Sequence, residues 1–185
     1  TVALAAILLD VSNLYRNGKC LSYKKNWKER KVSEVDVFTK FDDKVENELR
    51  NDIKKLKKGI KIHNKERLYN LDSRVAIEER IANNSIDLVI TSPPYLNSRD
   101  YTDTYMLELK TLGFTKTSEE IKELREKTIR SHVQIKWSDT STVDNEMLNR
   151  TLKELEEAAG KTEKWNDSII DMVRLYFVDI KNIFH

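Results

Sequence analysis

A short apolar run that stops abruptly at two prolines constrains the fold of this 185-residue chain more than any other feature. The run from Leu88 to Thr91 follows the turn-forming residues Asn83 to Ser85 and consists of residues compatible with a β-strand. Because the run is continuous rather than alternating, it predicts a strand covered on both faces. Pro93 and Pro94 end the strand, since neither has an N–H to donate to a sheet. The polar residues that follow are therefore expected at the carboxyl end of a strand, where open α/β sheets bind ligands.

The sequence Ser92-Pro93-Pro94-Tyr95 resembles the catalytic motif of the amino-directed DNA methyltransferases, which has the form Ser/Asn/Asp-Pro-Pro-Tyr/Phe/Trp. Asp72 to Arg74, Asn97 to Leu112 and Thr128 to His132 resemble further segments of one subgroup of these enzymes. The resemblance implies S-adenosylmethionine-dependent methylation of an exocyclic amine in DNA, in a restriction-modification context. It also implies an α/β chain with a partial Rossmann-like methyltransferase fold, rich in helices and with few strands.

The resemblance gives each residue of the motif a catalytic role that its chemistry supports. An exocyclic amine is a poor nucleophile, and two acceptors placed against its protons favour the pyramidal, reactive nitrogen. The Ser92 hydroxyl and the Pro93 carbonyl are the expected acceptors, and the prolines, including Pro94, hold the loop in place. Tyr95 is expected to stack on a base rotated out of the duplex. The alternative is a proline-rich turn with Tyr95 packed in the core.

The serine of the motif most resembles the cytosine-N4 branch of these enzymes, so cytosine N4 is the expected target. An N6-adenine enzyme and an RNA-directed relative are the alternatives within the methyltransferases.

Asp72 lies between a short predicted strand, Arg67 to Leu71, and a helix predicted from about Val75 to Ala82. In similar methyltransferases an acidic residue at this place lies near the adenine of the cofactor, so the resemblance makes Asp72 a candidate contact for S-adenosylmethionine. A glycine usually precedes that residue, whereas Leu71 stands here. The alternative is that Asp72 caps the helix that follows.

The sequence contains no glycine-rich turn of the kind with which these enzymes bind the methionine end of the cofactor. Its four glycines are isolated from one another: Gly18, Gly59, Gly113 and Gly160. We therefore interpret the chain as a partial or split enzyme, active when a second chain or residues outside this sequence supply the missing part. A nonenzymatic DNA-binding or interaction module descended from such an enzyme is the alternative.

Charge is unevenly distributed along the chain, although the net charge is only +2. Residues 1–70 contain 17 Lys and Arg against 10 Asp and Glu, whereas residues 71–185 contain 16 against 21. A basic half suits contact with DNA phosphates, and the aromatic residues in the segment from Arg16 to Lys31 suit unstacked bases. The alternative is a solvated surface loop anchored by Tyr23 and Trp27. The candidate DNA-binding residues are Arg16, Lys19, Lys24, Lys25, Lys28, Arg130 and His132.

Hydrophobic periodicity divides the chain into a helical basic region (residues 1–60), an α/β catalytic-loop region (residues 61–137) and C-terminal helices (residues 138–185). Residues 2–15 are predicted to form one helix, and Ser33 with Asp36 predicts a capping box for a second that ends near Gly59. The other predicted helices run from Tyr101 to Leu112, onward from Thr117, from Val143 to Ala159 and from Glu163 to the end. Between two of them, Ser138 to Thr142 is expected to be a mobile turn.

Cys20 is the only cysteine, so the sequence has no disulfide framework and no cysteine-rich metal site. His132 has no Cys, His or acidic partner at ligand spacing, and we expect no bound metal. The apolar run from Thr1 to Leu9 is too short to span a bilayer, and Asp10 follows it directly without a cleavage site. We therefore expect no membrane partner and a cytoplasmic location.

Overall fold

The computed structural model of the chain describes residues 1–18, 20–59, 67–98, 100–161 and 168–184. These residues fall into two compact units. Unit 1 comprises Thr1–Arg67 and Tyr101–Ile121, and unit 2 comprises Leu68–Asp100 and Lys122–His185. Each unit is therefore built from two separate segments of the chain, and part of the expected middle region folds with the N-terminal region.

Unit 1 begins with helix α1, Val2–Ile7, which is followed by a β-hairpin. Strand β1, Leu14–Asn17, pairs antiparallel with strand β2, Cys20–Tyr23. Gly18 has a φ of 56°, the left-handed conformation that a tight hairpin turn requires. This hairpin is the only sheet within the described ranges.

The helix predicted over residues 2–15 is wrong in its second half, and the predicted loop that follows contains strands. Val11 and Leu14 have the spacing of a helix, but hydrogen bonds of the Ser12 side chain favour a different backbone conformation there. The Ser12 hydroxyl lies 3.3 Å from the Leu9 carbonyl oxygen and accepts a hydrogen bond from the Leu14 amide at 3.1 Å. Such side-chain contacts offer the backbone an alternative to the helix, and Leu14 begins a strand instead.

A long helical segment follows the hairpin and confirms the predicted second helix. It consists of α2, Glu34–Asp43, a π-helical stretch, Lys44–Leu49, and α3, Arg50–Gly59. The predicted capping box is present, because the Ser33 hydroxyl accepts from the Asp36 amide at 3.1 Å while the Asp36 carboxylate accepts from the Ser33 amide at 3.2 Å. Helix α1 packs against this segment and buries Ala3, Ile7 and Leu8.

Short helices replace the single helix predicted between Tyr101 and Leu112. Helix α5, Tyr101–Thr104, and helix α6, Met106–Thr111, are separated at Tyr105, whose φ of −106° and ψ of 18° are not helical. Helix α7, Ser118–Glu126, begins as predicted at Thr117, whose hydroxyl accepts from the Glu120 amide at 3.2 Å.

Unit 2 contains α4, Ser73–Arg80, α8, Glu146–Ala159, and α9, Ser168–Phe184. Helix α8 begins three residues after the predicted Val143, because the Asn145 side chain caps it by accepting from the Leu148 amide at 3.0 Å. Residues 162–167, where the last helix was predicted to begin, lie outside the described part. Helices α8 and α9 form the core of the unit with the buried residues Leu148, Leu152, Met172 and Val173.

The two strands predicted around the candidate site are not formed in the described residues. Residues 67–71 and 88–91 pair with no other strand. Leu88 is 74% exposed and Ile90 is 88% exposed, so this segment is not covered on either face. A strand is stable only against partners, and the described part of the chain supplies none here. The observed architecture of the described residues is helix-rich with a small two-stranded sheet.

Met172→Ala should destabilise unit 2 by about 2 to 5 kcal/mol, because it leaves a cavity in the α8–α9 core where Met172 is 1% exposed. Met147 on α8 is 69% exposed, so Met147→Ala is a matched control that should change stability by less than about 0.5 kcal/mol. Urea unfolding followed by circular dichroism measures both variants. Equal effects of the two substitutions would contradict the described core.

Candidate active-site loop and its surroundings

The loop Ser92 to Tyr95 lies on the surface of unit 2 with all its peptide bonds trans. Ser92 is exposed, the two prolines are half-buried, and Tyr95 is 78% exposed. Tyr95 is therefore not packed in the core, and the alternative interpretation of the motif is wrong on this point. The tyrosine ring is accessible to solvent, as stacking on a base requires.

The two predicted acceptors in this loop are available for hydrogen bonds. Neither the Ser92 hydroxyl nor the Pro93 carbonyl hydrogen-bonds to any other residue that the structure describes. Each oxygen has lone pairs and lies in a loop whose φ angles at residues 93 and 94 are set by the proline rings. The arrangement can therefore receive two N–H donors from a ligand.

The segment after the motif is anchored to the core of unit 2. Leu96 packs against the α8–α9 cluster. The Asn97 amide donates to the Ser131 carbonyl at 2.7 Å, and Asn97 has a φ of 48°, a left-handed conformation that asparagine tolerates better than most residues. Asp100, at 8% side-chain exposure, accepts from Arg125 Nε at 2.7 Å. Arg99, which precedes Asp100, lies outside the described residues.

Asp72 caps helix α4, which is the second of its two predicted roles. Its Oδ1 accepts from the Arg74 amide at 2.9 Å, and the Arg74 guanidinium donates to both carboxylate oxygens, with Nη2 at 2.6 Å from Oδ2. These hydrogen bonds hold the pKa of the Asp72 carboxyl below its ordinary value. The carboxylate is still 42% exposed.

A buried carboxylate that the sequence interpretation missed lies next to these residues. Asp179 on α9 is 1% exposed and sits between two arginines. Arg74 Nη1 lies 3.3 Å from its Oδ2, and Arg130 Nη2 lies 2.7 Å from its Oδ1. The signal was present in the sequence, because Asp179 falls seven residues after Met172, on the apolar stripe of the last helix. An acidic residue on such a stripe must be paired with a cation.

Arg130, a predicted DNA contact, is held by carboxylates on both sides. Besides Asp179, its guanidinium contacts Asp139 and lies over the Trp137 ring at 5.7 Å. Burial disfavours its charge, but the hydrogen bonds to the two carboxylates outweigh burial and raise the pKa of Arg130. Arg174 donates to the Asp139 carbonyl at 2.8 Å, so the linker predicted to be mobile is tied to α9.

His132, the neighbouring candidate, is half-buried. Its Nδ1 lies 2.9 Å from the Ser131 hydroxyl, and its Nε2 is buried without a hydrogen-bond partner in the described ranges. The cavity beside it has a volume of about 10 Å³, which is the size of one water molecule and too small for a nucleobase.

Two of the N-terminal candidate DNA-binding residues form ion-pair or hydrogen-bond contacts inside unit 1. Arg16 Nη2 lies 2.5 Å from Glu108 Oε1, and its guanidinium covers the Tyr105 ring at 4.9 Å. Lys24 Nζ donates to the carbonyls of Leu9 at 2.7 Å and Ser12 at 2.9 Å, and burial lowers its pKa. Both cations therefore have structural partners.

Lys25 and Lys28 are the remaining described candidates in the segment from Arg16 to Lys31, and both are exposed. Lys28 Nζ lies 5.8 Å from the centre of the Trp27 ring, and Trp27 stacks on Tyr23 with ring centres 4.3 Å apart. The structure thus brings two cations and two stacked aromatic rings together at one end of the hairpin. Lys19 lies outside the described residues.

Within the described ranges, no three His, Cys, Asp or Glu side chains form a group that could hold a metal ion. None of the described helices is both long and apolar enough to cross a membrane.

Comparison with known proteins finds similarity to Type II methyltransferases. The chain is 33% identical over 134 residues to the Type II methyltransferase M.BsoBI of Geobacillus stearothermophilus, a match that covers 62% of this chain and 26% of that protein. It is 33% identical over 103 residues to the Type II methyltransferase M.AvaI of Nostoc sp. and of Anabaena variabilis, with 51% of this chain and 21% of each relative covered. The matches thus span about a quarter of the length of these relatives. No family model and no solved structure matches the chain.

Asp139→Asn should destabilise unit 2 near neutral pH, and this effect should disappear in acid. Hydrogen bonds from Ser141 and Arg130 hold the pKa of Asp139 well below its ordinary value near 3.8. The contribution of the Asp139 charge to the free energy of unfolding is therefore complete above about pH 5, where this carboxyl is ionised in the unfolded chain as well. The contribution is lost as the pH falls below about 4. Urea unfolding of wild type and variant at several pH values measures the difference.

Asp144→Asn is the matched control, because Asp144 is exposed two residues after Thr142 and forms no ion pair with a described residue. It should change stability little at any pH. If Asp139→Asn lowered the free energy of unfolding by the same amount at neutral and at acid pH, the ionic role of Asp139 would be refuted.

Proposed function

We propose that this chain carries the catalytic loop of an S-adenosylmethionine-dependent DNA methyltransferase in a restriction-modification system. The similarity to M.BsoBI and M.AvaI supports a methyltransferase. The exposed loop Ser92 to Tyr95, with two acceptor oxygens that form no hydrogen bond with another described residue, is the observation that carries the proposal. The proposed whole enzyme has an α/β, Rossmann-like fold, to which this chain contributes a helix-rich part.

In this proposal the loop binds an exocyclic amine of a base. The Ser92 hydroxyl and the Pro93 carbonyl accept hydrogen bonds from the two amine protons, so the nitrogen becomes pyramidal and its lone pair is localised. The proline rings at positions 93 and 94 hold the acceptors in place before the base arrives, which avoids reorganisation during the reaction. Bound S-adenosylmethionine supplies an electrophilic methyl group. Cytosine N4 is the proposed target, because serine begins the motif.

Tyr95 is proposed to hold the base after it leaves the duplex. A base whose edge is to be modified must be unstacked, and an exposed aromatic face recovers part of the lost stacking. The 78% exposure of Tyr95 leaves its ring free for this contact.

The described residues offer S-adenosylmethionine only part of a binding site. Arg74 occupies both oxygens of Asp72, so a cofactor hydroxyl or amine would bind at the exposed edge of this carboxylate or replace Arg74. The isolated glycines of the sequence build no phosphate- or carboxylate-binding turn. We therefore propose that a second chain, or residues outside this sequence, supply the glycine-rich part.

The unpaired segment before the motif supports such a second part. Leu88, Val89 and Ile90 are 74%, 56% and 88% exposed, and no backbone hydrogen bond joins residues 86–94 to any other described residue. An extended apolar segment with free backbone groups is suited to joining a sheet. The proposed role of the missing part is to pair with this segment and to place the cofactor beside the loop.

DNA contact is proposed for the exposed end of the hairpin. Lys25 and Lys28 are available for phosphates, while Tyr23 and Trp27 provide an aromatic surface. Arg16, Lys24 and Arg130 would have to give up carboxylate or carbonyl partners to contact a phosphate, so their proposed part in DNA binding is the weaker one. Lys19 and His132 complete the proposed set.

A second candidate function is noncatalytic nucleic-acid binding. It is favoured by the Tyr23–Trp27 stack beside two exposed lysines, which needs neither the loop nor a cofactor. The following experiment separates the two functions.

Ser92→Ala should reduce methylation by about 10² to 10³-fold, or about 2 to 4 kcal/mol in the transition state, because it removes one of two aligned acceptors. The assay uses a chimera in which this chain replaces the matching region of M.BsoBI. Single-turnover rates and mass spectrometry of the digested product DNA give the rate and the modified base. The expected product is N4-methylcytosine, and N6-methyladenine would refute the cytosine assignment.

Ser98→Ala is the matched control, because Ser98 is exposed three residues after Tyr95 and its hydrogen bond to the Tyr95 carbonyl comes from its backbone amide. This variant should keep the parent rate. Tyr95→Ala should weaken capture of the base by about 1 to 3 kcal/mol through lost stacking. A Ser92→Ala chimera as fast as its parent would remove Ser92 from the mechanism, and DNA binding without methylation by the parent would favour the noncatalytic function.

Lys25→Gln with Lys28→Gln should weaken DNA binding by the chain at low salt for every DNA sequence. It should also reduce the slope of log affinity against log salt concentration by about 2, since two phosphate contacts are lost. The control is the double variant Lys110→Gln with Lys116→Gln, which removes the same charge from two exposed lysines of the same unit. Filter binding over a salt series measures both, and equal slopes would show that the hairpin end does not contact DNA.

A further inference from the structure

We infer that Asp179 is a positioning residue that fixes both the Asp72 turn and the segment after the Ser92-to-Tyr95 loop. Its carboxylate is 1% exposed on α9 and is contacted from two segments distant in sequence. The structural part of the inference stands on these contacts alone. Its meaning for catalysis rests on the proposed function.

The first connection runs through Arg74 to Asp72. The Arg74 guanidinium donates to Asp179 at 3.3 Å and to Asp72 at 2.6 Å, so one rigid planar group joins the two carboxylates. The same guanidinium donates to the Lys127 carbonyl at 2.9 Å and to the Thr128 carbonyl at 3.4 Å. Asp179 thereby orients the arginine that holds Asp72 at the start of α4.

The second connection runs through Arg130 to the catalytic loop. Asp179 Oδ2 accepts from the Arg130 backbone amide at 2.9 Å, and the carboxylate also accepts from Nε at 3.1 Å and Nη2 at 2.7 Å. These bonds fix the backbone immediately before Ser131. The Ser131 carbonyl is the acceptor for the Asn97 amide at 2.7 Å, two residues after Tyr95.

The geometry points to orientation rather than to simple stabilisation. A buried ion pair often adds no more stability than well-packed apolar side chains would, because both charges lose water. Here, however, the carboxylate uses both oxygens for directed hydrogen bonds from a main-chain amide and two guanidinium groups. An apolar residue at position 179 would fill the space but would orient neither the Arg74 guanidinium nor the Arg130 backbone.

The test is amide hydrogen exchange in the intact chain with Asp179→Asn. Loss of the charge should weaken the hold on the Arg130 backbone, so exchange of the Asn97 amide should rise by about tenfold or more. Exchange in helix α2, which belongs to unit 1, should stay unchanged. The matched control is Asp171→Asn on the same helix, because Asp171 is 49% exposed and pairs with Arg174 at 2.8 Å.

A change confined to Asn97 and its neighbours, absent in Asp171→Asn, is the expected result. Unchanged exchange at Asn97 would overturn the inference, and so would a rise shared equally by all amides of α8 and α9, which indicates global destabilisation. If Asp179→Asn loses its helical circular dichroism, Arg130→Lys is measured instead. That variant keeps the charge but has one donor group, and exchange at Asn97 should rise several-fold; unchanged exchange would again overturn the inference.

Methylation by the M.BsoBI chimera distinguishes this inference from the proposed function. Asp179→Asn should lower kcat by about 10²-fold, since a displacement of about 1 Å at the reacting groups costs this much, while KM for DNA changes little. A local exchange effect in a chimera whose parent transfers no methyl group would retain the positioning role and refute the methyltransferase. A local exchange effect with unchanged kcat in an active chimera would refute the catalytic meaning of Asp179.

Discussion

The buried carboxylate of Asp179 is the contact on which the arrangement of unit 2 depends. A carboxylate at 1% exposure has lost nearly all its water, and its burial is tolerated because Arg74 and Arg130 supply directed hydrogen bonds. These arginines come from segments separated by more than fifty residues, so the pairing holds the start of α4, the segment before Ser131 and helix α9 in one arrangement. The Ser131 carbonyl then anchors the loop that carries the candidate catalytic residues.

The same loop is preceded by an exposed apolar segment that pairs with no strand in the described part of the chain. Leu88, Val89 and Ile90 expose apolar surface on both faces, and their backbone groups have no partner among the described residues. Burial of such side chains is worth about 1.5 to 3 kcal/mol each, so a sheet that covered them would add considerable stability. The relatives are about four times as long as the matched region, which leaves ample sequence in those proteins for such a sheet. The loop is thus well anchored on its C-terminal side, and its N-terminal side is suited to be completed by another part of an enzyme.

Local chemistry made part of this structure predictable. The Ser33–Asp36 capping box and the helix start at Thr117 were correctly predicted, because the contact that fixes each joins residues three positions apart. The strand at Leu88 was not, because a strand depends on neighbours that the described chain lacks. Nor did the sequence reveal that Arg16 pairs with Glu108, or Arg130 with Asp179, since these partners lie 92 and 49 residues away. Clusters of basic residues predicted a DNA surface, whereas several of these cations are engaged in internal contacts, and the exposure of Ser92 and Tyr95 had to be seen in the structure.

In the proposed function this chain supplies the target-amine loop, and its described residues form only part of a cofactor site. Transfer of a tritium-labelled methyl group from S-adenosylmethionine to unmethylated DNA tests it directly, with the isolated chain and the M.BsoBI chimera compared at equal concentration. We expect label in DNA treated with the chimera and none in DNA treated with the isolated chain. Efficient transfer by the isolated chain would contradict the missing cofactor site. A folded chimera that binds both DNA and S-adenosylmethionine yet transfers no label would contradict the catalytic role of the loop.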